Sequence, residues 1–131
     1  SDVYKRQQMI IHTIIENEYK YAVNINQMLT ILIKASKADV NGEEMLYVEV
    51  EDDGAGYPKE VLQFFENQEN TISKTGERVG LKSVKRMMEL MYEREGLFTI
   101  SNIEPHGCKN TFRIPAHAVQ EMKEQKQIKM D

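Results

Sequence analysis

The chain has 131 residues, 40% of them apolar and 29% charged, a composition that suits a single globular domain built around one core. A formal net charge of −4 argues against a general nucleic-acid binder, no apolar run approaches the ~20 residues of a membrane-spanning helix, and no signal peptide is visible. Cys108 is the sole cysteine, so an internal disulfide is excluded and a reducing compartment fits.

The first predicted element is a long helix over 3–23. Ile11, Ile14, Ile15 and Ala22 form an apolar stripe, while Thr13, Glu16, Asn17 and Lys20 cluster on the far side. Such a polar strip is ordinarily a solvated face, yet Asn17 is a poor helix former placed mid-helix without a capping role. Glu18 falls within the apolar stripe, so either it finds a cationic partner or the helix is distorted there.

Strands are predicted over 28–36 and 45–52, joined by a turn from Lys37 to Glu43 in which Asn41-Gly42 has hairpin chemistry. In the second strand Leu46, Val48, Val50 and Asp52 share a face by period two, and Glu51 and Asp53 point the other way. A carboxylate aimed inward requires a partner, which a bound hydrogen-bond donor would supply. Gly54 and Gly56 follow in D-x-G-x-G spacing, and without a Cβ they allow positive φ and close approach of something flat. An ordinary strand-to-turn junction explains this segment as well as a ligand site does.

A short helix follows Pro58 and ends near Glu66. Residues 67–77 are polar and patternless, as in a surface loop or a functional lid. Gly80 opens a helix over 80–94 in which Leu81, Val84, Met88 and Met91 recur at three- and four-residue steps, with Lys82, Lys85, Arg86 and Glu89 opposite. The free N–H groups and positive dipole end at its start suit phosphate, although a glycine before a basic amphipathic helix is also a common loop junction. Strands are predicted over 97–103 and 109–114, and a charged tail over 116–131. His12, His106 and His117 have neither metal-ligand nor triad spacing, Met87, Met88 and Met91 read as core, and Cys108 reads as packing.

In chain order the segments are E-N-x-x-K from Glu16 to Lys20, D-x-G-x-G from Asp52 to Gly56, V-G-L-K-S-V from Val79 to Val84, and Gly107 to Pro115. Each is weak alone, but their order and spacing resemble the ATP-binding domain of the superfamily that joins gyrase, the heat-shock chaperone ATPase, histidine kinases and MutL. The run from Gly80 to Tyr92 looks most like the YesM/LytS-type sensor histidine kinases.

That resemblance spans about residues 9 to 115 and implies an α+β fold, the two-layer α/β sandwich of the Bergerat type, with a mixed β-sheet packed on helices and the domain occupying 1–115. It further implies that Asn17 ligates Mg²⁺, that Lys20 lies near the phosphates, and that Asp52 accepts a hydrogen bond from the adenine amino group. Gly54 and Gly56 correspond to the first glycine box, Gly80 and Leu81 to the second, and Thr111 to the threonine that supports the adenine pocket. The 67–77 loop becomes the ATP lid, with Lys74 and Arg78 as phosphate contacts. Tyr21 stands where this kinase group often has histidine, and Glu16 is placed to orient Mg²⁺-bound water or the incoming imidazole. Thr13 occupies the position of the gyrase-type catalytic glutamate, so efficient hydrolysis by water is not expected.

The implied enzyme is a protein histidine kinase that binds Mg²⁺-ATP and donates the γ-phosphoryl to a histidine on a separate dimerisation domain, from which a response regulator takes it. A cytoplasmic location is implied, as part of a membrane-bound kinase whose attachment lies elsewhere; this chain is expected to bind nucleotide without phosphorylating itself. Two rivals share the fold: an anti-sigma-factor-type serine kinase, and a module whose pocket has decayed and which acts by protein contact.

Overall fold

The computed structural model describes residues 12–14, 16, 28–67 and 77–116, with the backbone alone for 77–79. Residues 12–14 and 16 are helical, within the predicted first helix. After them come β1 (Ile31–Val40), β2 (Glu43–Asp52), α1 (Lys59–Glu66), α2 (Glu77–Tyr92), β3 (Phe98–Asn102) and β4 (Cys108–Pro115).

The hairpin is tighter than expected. Asn41 and Gly42 both take positive φ, 53° and 83°, and Val40 pairs directly with Glu43. Positive φ at both central residues is the geometry of a two-residue type I′ turn, whose twist matches that of the strands it joins. Lys37 to Val40 therefore continue β1 instead of belonging to the turn.

The sheet has the order β1-β2-β4-β3. A mixed sheet was expected; among the described residues every pairing is antiparallel. The reason lies in the connections, since β1–β2 and β3–β4 are joined by short turns and β4 returns between the two pairs. The α+β sandwich itself is present, with α1 and α2 laid on one face of the sheet.

Helix α1 buries Val61 and Phe65, one turn apart, behind an N-cap at Pro58. Helix α2 begins at Glu77, ahead of the expected start at Gly80, so that glycine lies inside the first turns. A glycine costs a helix interior only about 1 kcal/mol, and an acidic first residue suits the dipole. Leu81, Val84 and Met88 from α2 meet Val50, Phe98 and Phe112 from the sheet, and Ile14 joins them from the N-terminal helical segment. Phe98 stacks on Phe112 at 4.6 Å and meets Phe65 edge-on at 5.4 Å, two favoured aromatic geometries.

Lys82 and Lys85 do more than solvate a helix face. Lys85 Nζ donates to the Phe65 carbonyl at 2.6 Å and Lys82 Nζ to the Phe64 carbonyl at 3.4 Å, and each amine lies over the ring of the same residue. Those carbonyls belong to the last turn of α1, which has no basic residue of its own, so α2 supplies the cations that the helix end favours. The sheet face opposite α1 and α2 carries charge pairs, Lys109 with Glu49 and Glu51, and Lys34 with Glu51.

Candidate functional site

The site is built at the C-terminal end of β2. Asp52 continues the face of Val50 and is only 6% exposed, as period two predicts. Its carboxylate is held at both oxygens: the Gly54 N–H donates to Oδ1 at 2.9 Å, and the Cys108 thiol donates to Oδ2 at 2.6 Å. Cys108 is also the cross-strand partner of Asp52. Its sulfur thus has a polar duty, not the inert packing that the sequence suggested.

Asp53 points outward. Its Oδ1 accepts the Thr30 N–H at 2.8 Å, and that hydrogen bond holds its carboxyl below the ordinary value of 3.8. Two neighbouring carboxylates thus have different fates because the strand alternates.

Gly56 is required where it stands. It takes φ 88°, and a Cβ there would lie 2.9 Å from Asn102 Oδ1. Asn102 ties the next residue down at both ends of its peptide, accepting the Tyr57 N–H at 2.7 Å and donating to the Tyr57 carbonyl at 2.9 Å. The Tyr57 hydroxyl donates to Asn110 Oδ1 at 2.6 Å, and Asn110 is 1% exposed. The glycine loop is thereby strapped to β3 and β4. Gly107, at φ 116°, has the Asp52 carbonyl oxygen where a Cβ would go, so β4 can enter directly beside Asp52 only with glycine there. Gly54 is buried and contributes its N–H; of the D-x-G-x-G pair, Gly56 is the one at positive φ.

Thr111 requires a correction. It pairs with Glu49 and Thr99, three places along β4 from Cys108, and odd spacing puts it on the sheet face opposite Asp52. Cys108 is the β4 residue that pairs with Asp52. Leu81 is 4% exposed within the core, so its side chain is not offered to a ligand. Gly80 faces the N-terminal helical segment, since a Cβ on it would lie 3.9 Å from Thr13 Cγ2. Glu16 is half-exposed and lies 3.7 Å from His12 Nε2. Asn17, Lys20, Tyr21 and Lys74 lie outside the described residues, as does the side chain of Arg78.

The arrangement is a buried, acceptor-only carboxylate at a strand end, floored by a strapped glycine loop, with the start of α2 set against the first helix. A sequence comparison shows which proteins the chain is similar to. The chain matches the family described as histidine kinase-, DNA gyrase B- and HSP90-like ATPases over residues 3–118. It belongs to that family. A curated relative, the Sensor protein LytS of Enterococcus faecalis (strain ATCC 700802 / V583), is 29% identical over 108 residues, covering 80% of this chain. The chain spans only 17% of that relative's length.

As a histidine-kinase-like ATPase domain, the chain belongs to a family of ATP binders, and an ionised carboxylate suits an exocyclic amino group because it can only accept. Among the described residues no group of three or more His, Cys, Asp or Glu is placed to hold a metal ion, and no helix is long and apolar enough to cross a membrane. The residues that sequence reasoning missed are Asn102, Gly107, Cys108 and Asn110. Gly107, Cys108 and Asn110 left a trace only as members of the fourth box; Asn102 and Asn110 act through pairings more than forty residues long.

Proposed function

We propose that the chain is the ATP-binding catalytic domain of a two-component sensor histidine kinase, and that residues 1–115 form it. The observation that carries the reading is Asp52, buried and held as an acceptor at the mouth of a glycine loop. Family membership and the likeness to a sensor protein support it. In this reading Asp52 takes the adenine amino group and the start of α2 takes phosphate. Asn17 holds Mg²⁺, and Lys20, Lys74 and Arg78 neutralise phosphate charge. Glu16 orients the acceptor.

The transfer is a displacement at phosphorus. An imidazole nitrogen of the acceptor histidine forms the new N–P bond, the bond from the γ-phosphorus to the bridging oxygen breaks, and ADP leaves carrying that electron pair. The imidazole N–H proton passes to solvent or base. Protein groups contribute position and charge neutralisation, which is where most of the catalysis of phosphoryl transfer resides. A response regulator then accepts the phosphoryl group.

The test is to incubate the chain with γ-labelled ATP and a histidine-bearing helical dimerisation domain. Label should appear on that domain in an acid-labile, base-stable linkage. Acid-stable label on serine would instead support the serine-kinase rival, and no nucleotide binding in calorimetry would favour the decayed module.

A further inference from the structure

Asn102 ends β3 and uses its side chain as if it were one more peptide group. Its Oδ1 accepts the Tyr57 N–H at 2.7 Å and its Nδ2 donates to the Tyr57 carbonyl at 2.9 Å. A hydrogen-bonded residue pair exchanges the same two bonds in an antiparallel ladder, and a single side chain makes both of them with Tyr57. Since one partner is a donor and the other an acceptor, the amide fits between them only one way round. We propose that Asn102 is a positioning residue of the nucleotide site, which holds the glycine loop in its binding shape before nucleotide arrives; the proposal rests on the ATP reading.

The clamp sits where the ladder gives out. Strand β2 stops at Asp52, and Gly56, at φ 88°, turns the chain off the strand direction. Asn102 is within reach because Asp52, Cys108 and Asn102 lie in one cross-strand row. The next residue, Ile103, donates its N–H to the Gly107 carbonyl at 2.9 Å, so the clamp is anchored on a closed hairpin end. Loop and amide fit without slack, since a Cβ on Gly56 would lie 2.9 Å from Asn102 Oδ1. Beyond Tyr57, the Pro58 carbonyl accepts the Val61 and Leu62 N–H groups at 3.0 and 3.2 Å and so begins α1. Asn102 thereby fixes both the end of the glycine loop and the place where α1 starts.

A site that is competent in only a fraction of the molecules binds more weakly by that fraction. Two hydrogen bonds of typical net strength change such a fraction about tenfold or more. Asn102 acts on affinity in this way without touching the base. Removing its amide leaves Tyr57 attached at its hydroxyl, which donates to Asn110 Oδ1 at 2.6 Å, so the loop loosens while the fold stands.

Calorimetric titrations of ATP and adenosine into the wild-type chain, Asn102→Ala and Asn102→Asp, with amide exchange read at Tyr57, test the proposal. Asn102→Ala should lose about tenfold in affinity for both ligands, because the loop floors the base and not the phosphates. Its Tyr57 N–H should exchange faster, and slow again when ATP is added. Asn102→Asp keeps the acceptor for the Tyr57 N–H and lacks the donor for the carbonyl, so its affinity should fall between the other two. Wild-type affinity for both ligands in a folded Asn102→Ala whose Tyr57 N–H exchanges faster makes Asn102 a residue of the fold alone and overturns the proposal. A loss confined to ATP overturns it as well. Should Asn102→Ala not fold, Asn102→Asp decides by the same criteria. A wild-type chain in which Tyr57 exchanges slowly and depends on Asn102, yet which binds neither ligand, overturns the nucleotide reading and this proposal with it.

Discussion

The two ends of β2 are made by different kinds of information. At the hairpin end, Asn41 and Gly42 accept positive φ, β1 and β2 pair outward from them, and a Cβ on Gly42 would meet nothing within 4 Å. At the other end, Asp52 depends on Cys108 and Gly107, and the loop after it depends on Asn102 and Asn110. A turn can be written in two residues because its conformation is local, whereas a buried carboxylate must be satisfied by whatever the tertiary fold brings to it. The hairpin end therefore tolerates change, and the Asp52 end does not.

The sharpest way to break this contrast is a pair of glycine substitutions. Gly107→Ala forces a Cβ onto the Asp52 carbonyl oxygen at a φ of 116°. It should cost about 3 kcal/mol or more in urea denaturation, since strain and overlap add. Gly42→Ala meets only the backbone penalty, about 1 kcal/mol. Equal costs would show that the two ends do not differ as described.

Asp52→Asn comes next in size. It should weaken ATP binding by about 1.5–3 kcal/mol in calorimetry, the range for a hydrogen bond to a charged group. An unchanged titration in a folded variant would remove Asp52 from the site.

Tyr57→Phe deletes the hydrogen bond to Asn110 Oδ1 and should lower stability by about 1 kcal/mol. It should also speed amide exchange in the 54–57 loop. A loop that exchanges at the wild-type rate would mean that the Asn102 contacts hold it unaided.

The smallest effect belongs to Asp53, which is fully exposed. Its carboxyl is held below 3.8 in the folded chain, so it binds fewer protons folded than unfolded. The stability it contributes is complete above 3.8 and is lost as pH falls through the lower folded value. Asp53→Asn should lower the melting temperature slightly and by a constant amount at neutral pH and converge with the wild type in acid, which flattens the acid limb. A variant that melts in parallel with the wild type across the whole acid range would exclude this linkage.

Much of the fold was legible because its signals are periodic or local. The inward direction of Asp52 followed from alternation, the apolar stripe of α2 from its three- and four-residue steps, and the hairpin from Asn41-Gly42. Two of the errors were of one kind. Strand β1 was ended early because Lys37 to Asp39 look like turn residues, and only the pairing with Glu44 to Leu46 shows them to be strand. Thr111 was assigned to the pocket by its place in a motif, and the register of β4 against β2 put it on the other face.

Residue order alone was enough to choose the fold, the family and the acceptor carboxylate, since hydrophobic period, turn chemistry and the spacing of the glycine boxes are properties of neighbours in the chain. Tertiary structure decided which atoms satisfy that carboxylate. Cross-strand register depends on the whole sheet, and a shift of one residue would replace Cys108 beside Asp52 with a side chain on the opposite face.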